Sequence, residues 1–143
     1  MYNLIWLDKT IGMEDVNKLV YVVDDDEIFH FIIKKMLGTS DNLVVTSFLC
    51  AEDALEQLSG PARQKLPSLI ILDMNMQRMN GWDFIEAYRN IKGSIGKQIP
   101  IIMCSSSIDV RDMQKVQRTP ELMAYITKPL DSSKLKLIEE YLS

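Results

Sequence analysis

The apolar residues of this chain fall into short runs, each stopped by a polar or charged residue. Leu69-Ile70-Ile71-Leu72 has no polar interruption before Asp73. Such a run, opened by Pro67-Ser68 and followed by the turn signal Asn80-Gly81, predicts a strand covered on both faces, as in a parallel sheet between helices. Leu19 to Val23 is β-branched and aromatic and ends at Asp24-Asp25-Asp26. Leu43–Leu49, Ile99–Cys104 and Leu122–Thr127 are the remaining strand candidates, the last ending at Lys128-Pro129.

Helical spacing fills the intervals. After Asp26, which suits an N-cap, the residues Ile28, Phe29, Ile32, Ile33 and Met36 form one stripe with Lys34 and Lys35 off it. That stripe places His30 and Phe31 on the solvent side. His30, the sole histidine, is expected to be a solvated surface residue. Ala51–Leu58 is a second helix with Ala51, Ala54, Leu55 and Leu58 inward, ended by Ser59-Gly60-Pro61. Trp82–Ile91 is a third, followed by a glycine-containing loop through Lys97. Asp109–Val116 is a short fourth. The fifth is capped by Ser132 or Ser133 and shows Leu135, Ile138 and Leu142 on one face. Five strands alternating with five helices predict one doubly wound α/β domain over residues 18–143, with residues 1–17 an extension of no assigned role.

Right-handed crossovers put the carboxyl ends of these strands on one edge of the sheet, where open α/β sheets gather their chemistry. That edge then holds Asp24, Asp25, Asp73, Ser105 and Lys128. Three crowded carboxylates raise one another's pKa unless a cation joins them, and oxygen ligands select a hard ion such as Mg²⁺ or Mn²⁺. With the ion, Asp73 stays ionised as a nucleophile, Lys128 clamps a phosphoryl oxygen and the Ser105 hydroxyl donates to another. The constellation describes phosphoryl transfer onto Asp73. Asp73 alone would be an ordinary loop aspartate; the other strand ends change that reading.

Composition narrows the classes. The 143 residues suit one core, and the net charge of −4 argues against a nucleic-acid surface. Cys50 and Cys104 have no metal-ligand spacing. No segment is long enough to span a bilayer, and the start lacks the features of a signal peptide, so a cytoplasmic protein without membrane partners is expected. The nine methionines read as core filler.

Val22-Val23-Asp24-Asp25, Leu72-Asp73-Met74-Asn75-Met76 with Asn80-Gly81, Met103-Cys104-Ser105-Ser106 and Tyr125-Ile126-Thr127-Lys128-Pro129 together resemble the signature of response-regulator receiver domains. The resemblance runs from about Lys18 to the C-terminus. It implies a parallel sheet of order 2-1-3-4-5, the flavodoxin-like order. It implies Asp73 as phosphoacceptor, Asp25 as direct metal ligand with Asp24 acting mainly through water, and Asn75 lending its backbone carbonyl to the metal. Ser105 matches the hydroxyl that follows the phosphoryl group, Lys128 the family's lysine, and Tyr125 the aromatic switch. A histidine kinase or phosphotransfer protein is the implied donor, and a downstream protein the implied target. Gln77 stands where the family commonly has proline, and Asn80-Gly81 replaces the commoner Asp-Gly; neither removes a chemical group from the site.

Residues 130–143 are used by the last helix, so the sequence is expected to be a stand-alone receiver rather than an enzyme. Two alternatives remain beside it. One is a receiver-like binding module that takes no phosphate. The other is an aspartyl-phosphate phosphohydrolase, which needs an acid two residues after its nucleophile, where this chain has Asn75. A strand end followed by proline also predicts a cis Lys128–Pro129 bond, a conformation that X–Pro peptides reach at a cost of about 0.5–1 kcal/mol.

Overall fold

A computed structural model describes residues 18–38, 42–60, 65–107 and 109–142. The extension 1–17 and Pro61 lie outside the described residues. The strands are β1 (Lys18–Val23), β2 (Leu43–Phe48), β3 (Leu69–Asp73), β4 (Ile101–Ser105) and β5 (Leu122–Thr127). The helices are α1 (Glu27–Leu37), α2 (Ala51–Ser59), α3 (Gly81–Ile95), α4 (Val110–Gln117) and α5 (Ser132–Glu140). All pairings are parallel, in the order β2-β1-β3-β4-β5 that the resemblance to receiver domains implies.

The unbroken apolar runs have the cause assigned to them: every residue of β3 and β4 is buried, because both faces of the central strands are covered. Alternate residues feed two cores. Tyr21, Val23, Ile70, Leu72, Ile101 and Met103 pack with Ala54 and Leu58 of α2 and Phe84, Ile85 and Tyr88 of α3. Val20, Val22, Leu69, Ile71 and Ile102 pack with Phe29, Ile33 and Leu37 of α1 and with Ile138 and Leu142 at the C-terminus. Truncating any of these central aliphatic side chains to alanine would cost about 2–5 kcal/mol.

The helix boundaries and faces differ from expectation in instructive ways. In α1 the buried residues are Phe29, His30, Ile33 and Leu37, while Ile28 and Ile32 are 69% and 40% exposed. The helix is rotated from the predicted stripe, and His30 is only 5% exposed because its ring has a polar partner inside, described below. Phe31 is exposed, as expected. Helix α3 runs on to Ile95 instead of Ile91, through Gly93, whose cost of about 0.5–1 kcal/mol does not break it; Gly96 ends it at φ 74°, in the left-handed region glycine enters freely. The cap of α5 is Asp131, whose carboxylate accepts the Lys134 N–H at 2.9 Å, rather than Ser132 or Ser133. Strand β2 stops at Phe48, one residue short of Leu49, and β4 spans Ile101–Ser105 rather than 99–104. Helix α4 begins one residue later than expected, with Asp109 as its cap. The Lys128–Pro129 peptide is cis.

Candidate functional site

Strand β3 lies between β1 and β4, and the chain order reverses at the β1–β3 seam, the position where such sheets open a crevice beyond their strand ends. Asp73 closes β3 there, opposite Cys104 of β4. Asp24 and Asp25 follow β1. Carboxylate oxygens of Asp24, Asp25 and Asp73 all lie within 4.8 Å of one another. Asp24 and Asp73 are buried and Asp25 is exposed. Asp26, next in sequence, turns away and caps α1 by accepting the Ile28 N–H at 2.9 Å.

Lys128, at the end of β5, reaches across two strands into the cluster. Its Nζ donates to Asp24 Oδ2 at 2.7 Å and stands 3.6 Å from Asp73 Oδ1. The ammonium also lies 4.5 Å from the centroid of the Phe29 ring on α1. Helical spacing marks Phe29 only as core; its place beneath the lysine depends on the rotation of α1 and leaves no trace in the spacing. Burial works against the Lys128 charge, but the Asp24 hydrogen bond and the charges of Asp24 and Asp73 outweigh it and hold the group protonated more firmly than usual.

Asp73 is left less well compensated. Burial, reinforced by the neighbouring Asp24 charge, pushes its pKa up to about 6, against the pull of Lys128 and a long 3.4 Å hydrogen bond from the Asn75 N–H. It remains mostly ionised at neutral pH, with a strong electrostatic demand for another cation. The donor set meets that demand chemically: three carboxylates, no thiol and no imidazole nitrogen in the cluster suit a hard, oxygen-seeking ion.

On the far side of Asp73, Ser105 ends β4 fully buried. Its hydroxyl donates to the Ser107 carbonyl at 2.7 Å and accepts from Asn75 Nδ2 at 3.0 Å. The resemblance to receiver domains implies a role only for the backbone carbonyl of Asn75, so its side-chain bond to Ser105 is an addition from the structure. Tyr125, half-buried on β5, donates its hydroxyl to the same Ser107 carbonyl at 3.3 Å. Ser105 and Lys128 are fastened to one another by the Lys128 N–H, which donates to the Ser105 carbonyl at 2.8 Å. The loop after Asp73 is steadied by the Gln77 N–H, which approaches Asp25 Oδ2 at 3.4 Å. Arg78 follows at φ 65°, an uncommon conformation for a side-chain-bearing residue. Cys104, beside Asp73, is buried with its thiol pushed up to about 12, which makes it inert filler.

The structure thus brings Asp24, Asp25, Asp73 and Lys128 into direct proximity, and links Asn75, Ser105 and Tyr125 through hydrogen bonds centred on Ser105 and the Ser107 carbonyl. Among the described residues no helix is long and apolar enough to cross a membrane.

Comparisons with known proteins converge on one family. A model of the response regulator receiver domain matches residues 20–139. The chain is 32% identical over 105 residues to the Regulator of RpoS of Escherichia coli K12, an alignment covering 72% of this chain but only 28% of that protein. It is 29% identical to a 14.6 kDa protein from the sodA1 3′ region of Leptolyngbya boryana, covering 85% and 88% of the two chains. The crystal structure of a two-component response regulator from Cytophaga hutchinsonii superposes with a TM-score of 0.77 at 26% identity, covering 88% of this chain and 97% of that one. Receiver domains bind Mg²⁺ at an acidic site, and Asp24, Asp25 and Asp73 form such a cluster here. From the strand order, the acidic cluster and the extent of the match, this chain belongs to the response-regulator receiver family.

Proposed function

We propose that Asp73 accepts a phosphoryl group from a histidine kinase or phosphotransfer protein, and that the resulting change at Ser105 and Tyr125 is read by a partner protein. The observation that carries the reading is the electrostatic arrangement at β3: a buried carboxylate, ionised at neutral pH, flanked by two acids and a lysine. A carboxylate oxygen of Asp73 attacks phosphorus, a P–O bond forms, and the P–N bond of a phosphohistidine breaks. The donor imidazole leaves with the electron pair. Asp24, Asp25 and Asp73, with the Asn75 carbonyl, would hold Mg²⁺ or Mn²⁺, which neutralises phosphoryl charge when bound. Lys128, already 3.6 Å from Asp73, supplies a point charge for a phosphoryl oxygen.

The switch reading rests on the shared acceptor. Ser105 and Tyr125 both donate to the Ser107 carbonyl. A phosphoryl group on Asp73 offers Ser105 a charged acceptor, and charge-assisted bonds are roughly twice as strong as neutral ones. If Ser105 leaves the Ser107 carbonyl, Tyr125 is left as its sole side-chain donor of the pair and can reorient with the loop. The surface formed by α4, β5 and α5 then differs between states, and a partner that binds those states unequally shifts the equilibrium.

The test is incubation with acetyl phosphate and Mg²⁺ followed by intact mass. One adduct of about 80 Da, lost in Asp73→Asn, is expected. Asp25→Asn should weaken the metal and abolish the adduct together. No adduct on the wild type would favour a receiver-like binding module. Continuous turnover of acetyl phosphate would favour a hydrolase; against it, Asn75 is no acid and its side chain is engaged with Ser105. An adduct persisting on Asp73→Asn would refute the acceptor assignment.

A further inference from the structure

Asp24 has a hydrogen-bond partner in every direction. Its N–H donates to the Phe48 carbonyl of β2 at 3.0 Å. Its carboxylate accepts the Asp26 N–H at 2.8 Å and Lys128 Nζ at 2.7 Å. Its carbonyl faces Nε2 of His30 at 2.7 Å. A carbonyl oxygen only accepts, so Nε2 carries the hydrogen. The His30 side chain in α1 thus reaches back to the backbone of the acidic segment, and the backbone N–H of His30 donates to the Asp26 carbonyl at 3.3 Å.

The Asp24 carbonyl and the Asp25 nitrogen share one rigid peptide plane. Fixing that oxygen fixes the direction in which the chain leaves β1 and where the Asp25 carboxylate is delivered. Asp25 has little else to aim it: it is exposed, and the Gln77 N–H at 3.4 Å is a weak hold. The second nitrogen of the ring tells the same story from the opposite side. His30 Nδ1 is buried with no hydrogen-bond partner among the described residues. A leucine or methionine would fill the space without stranding a polar atom, so what a histidine adds at this position is the bond from Nε2.

We propose that His30 is a positioning residue for the acidic cluster: through the Asp24 carbonyl it holds the Asp24–Asp25 peptide in the orientation that aims the Asp25 carboxylate at a divalent cation shared with Asp24 and Asp73. This rests on the metal reading given above, and the experiment separates the two. Mn²⁺ alone is titrated into the full chain and the free ion followed by electron paramagnetic resonance, for wild type, Asp25→Asn, His30→Leu (no donor) and His30→Gln (an N–H donor retained). Partners one layer outside a metal site typically change affinity by about 10–100-fold, so His30→Leu should bind Mn²⁺ about tenfold more weakly, and His30→Gln should recover most of the loss. The ¹⁵N shifts of the wild-type ring should show the hydrogen on Nε2. A packing role alone would move the urea midpoint but leave the Mn²⁺ affinity of the folded protein untouched. Wild-type affinity in folded His30→Leu, or a ring hydrogen on Nδ1, overturns the proposal. Should His30→Leu not fold, His30→Gln is compared with His30→Met, and equal Mn²⁺ affinity in that pair overturns it equally. A wild type that binds no Mn²⁺, or no more than Asp25→Asn, overturns the metal reading and this inference with it.

Discussion

Asp73→Asn should stabilise the metal-free protein, and the gain should depend on pH. The Asp73 carboxyl sits at about 6 in the folded chain against an ordinary value of 3.8, chiefly because burial and Asp24 disfavour its charge. The unfolded chain releases this proton near the ordinary value, so between about pH 4 and 6 the folded form binds more protons. Raising pH through that window therefore costs stability; the wild type is unburdened below the ordinary value and carries the full penalty above about 6. At 1.36 kcal/mol per pH unit, the difference sets a ceiling of about 3 kcal/mol. Asparagine also forfeits the attraction to Lys128 at 3.6 Å, so a net gain of about 1–2 kcal/mol is expected at pH 7.5. With a urea m-value of about 2 kcal/mol per molar, that is a midpoint rise of roughly 0.5–1 M. Urea unfolding in EDTA at pH 4.5, 6.0 and 7.5 measures it, and the gap should shrink towards pH 4.5. Adding Mg²⁺ at pH 7.5 should stabilise wild type more than the variant. A gap that does not change between pH 4.5 and 7.5, or a variant less stable than wild type at pH 7.5, would show that Asp73 carries no such penalty.

Glu121 behaves with the opposite sign. A paired hydrogen bond from Arg89 at 2.9 and 3.0 Å, helped by Lys92 at 2.9 Å, brings its pKa down to about 2 from 4.5, so its stabilisation is present above the ordinary value and lost as pH falls towards 2. Because Arg89 and Lys92 are nearly half exposed, Glu121→Gln should cost only about 1 kcal/mol at pH 7, less in high salt, with the gap to wild type narrowing below the ordinary carboxylate value and closing only towards pH 2 in thermal melts. Gly81→Ala would place a Cβ 2.7 Å from the Asp73 carbonyl oxygen and 2.9 Å from Met74 Cα, both backbone atoms that cannot step aside, so a loss of about 1–3 kcal/mol in urea unfolding is expected. A Gly81→Ala protein as stable as wild type would show that the turn after Asp73 has slack. Ser105→Ala should still take phosphate at Asp73, yet show much smaller backbone amide shifts over residues 109–142 on phosphorylation; shifts equal to those of wild type would remove Ser105 from the switch.

Much of this was legible in the sequence for a reason that concerns parallel sheets. Strands buried on both faces read as continuous apolar runs, and a run that stops at Asp73, or at Asp24-Asp25, announces which residue emerges at the sheet edge. The positions of Ser105 and Lys128 followed from two further strand ends, whereas the strand order came from the resemblance to receiver domains. The inward face of α1 was not legible because its apolar residues support two stripes about 100° apart, one through Ile28 and Ile32 and one through Phe29, Ile33 and Leu37. Hydrophobicity could not choose between them. The polar residue decided: His30 turns inward to a carbonyl, and a side chain that bonds to backbone leaves no periodic trace. The Asn75–Ser105 bond was invisible for a similar cause, since it joins residues 30 positions apart by a side-chain rotamer.

Lys128 sits unequally between two of the three acids. The ammonium stands 2.7 Å from Asp24 and 3.6 Å from Asp73, so the lysine is spent mainly on Asp24. That preference, with the Asp24 carbonyl already held by His30, makes Asp24 the settled member of the trio and Asp73 the one still in want of positive charge. Exchanging the two distances would satisfy Asp73 and leave a stable but electrostatically complete pocket, with less to gain from a further cation. A buried carboxylate left partly uncompensated is costly to the fold, and an incoming cation removes that cost only in the folded state. Lys128→Met should accordingly raise Asp73 further and deepen the pH-dependent penalty, even as it deletes the charge proposed to meet a phosphoryl oxygen. If instead the Lys128→Met protein keeps the wild-type pH dependence of stability in EDTA, Lys128 is not the group that sets the balance between the three acids.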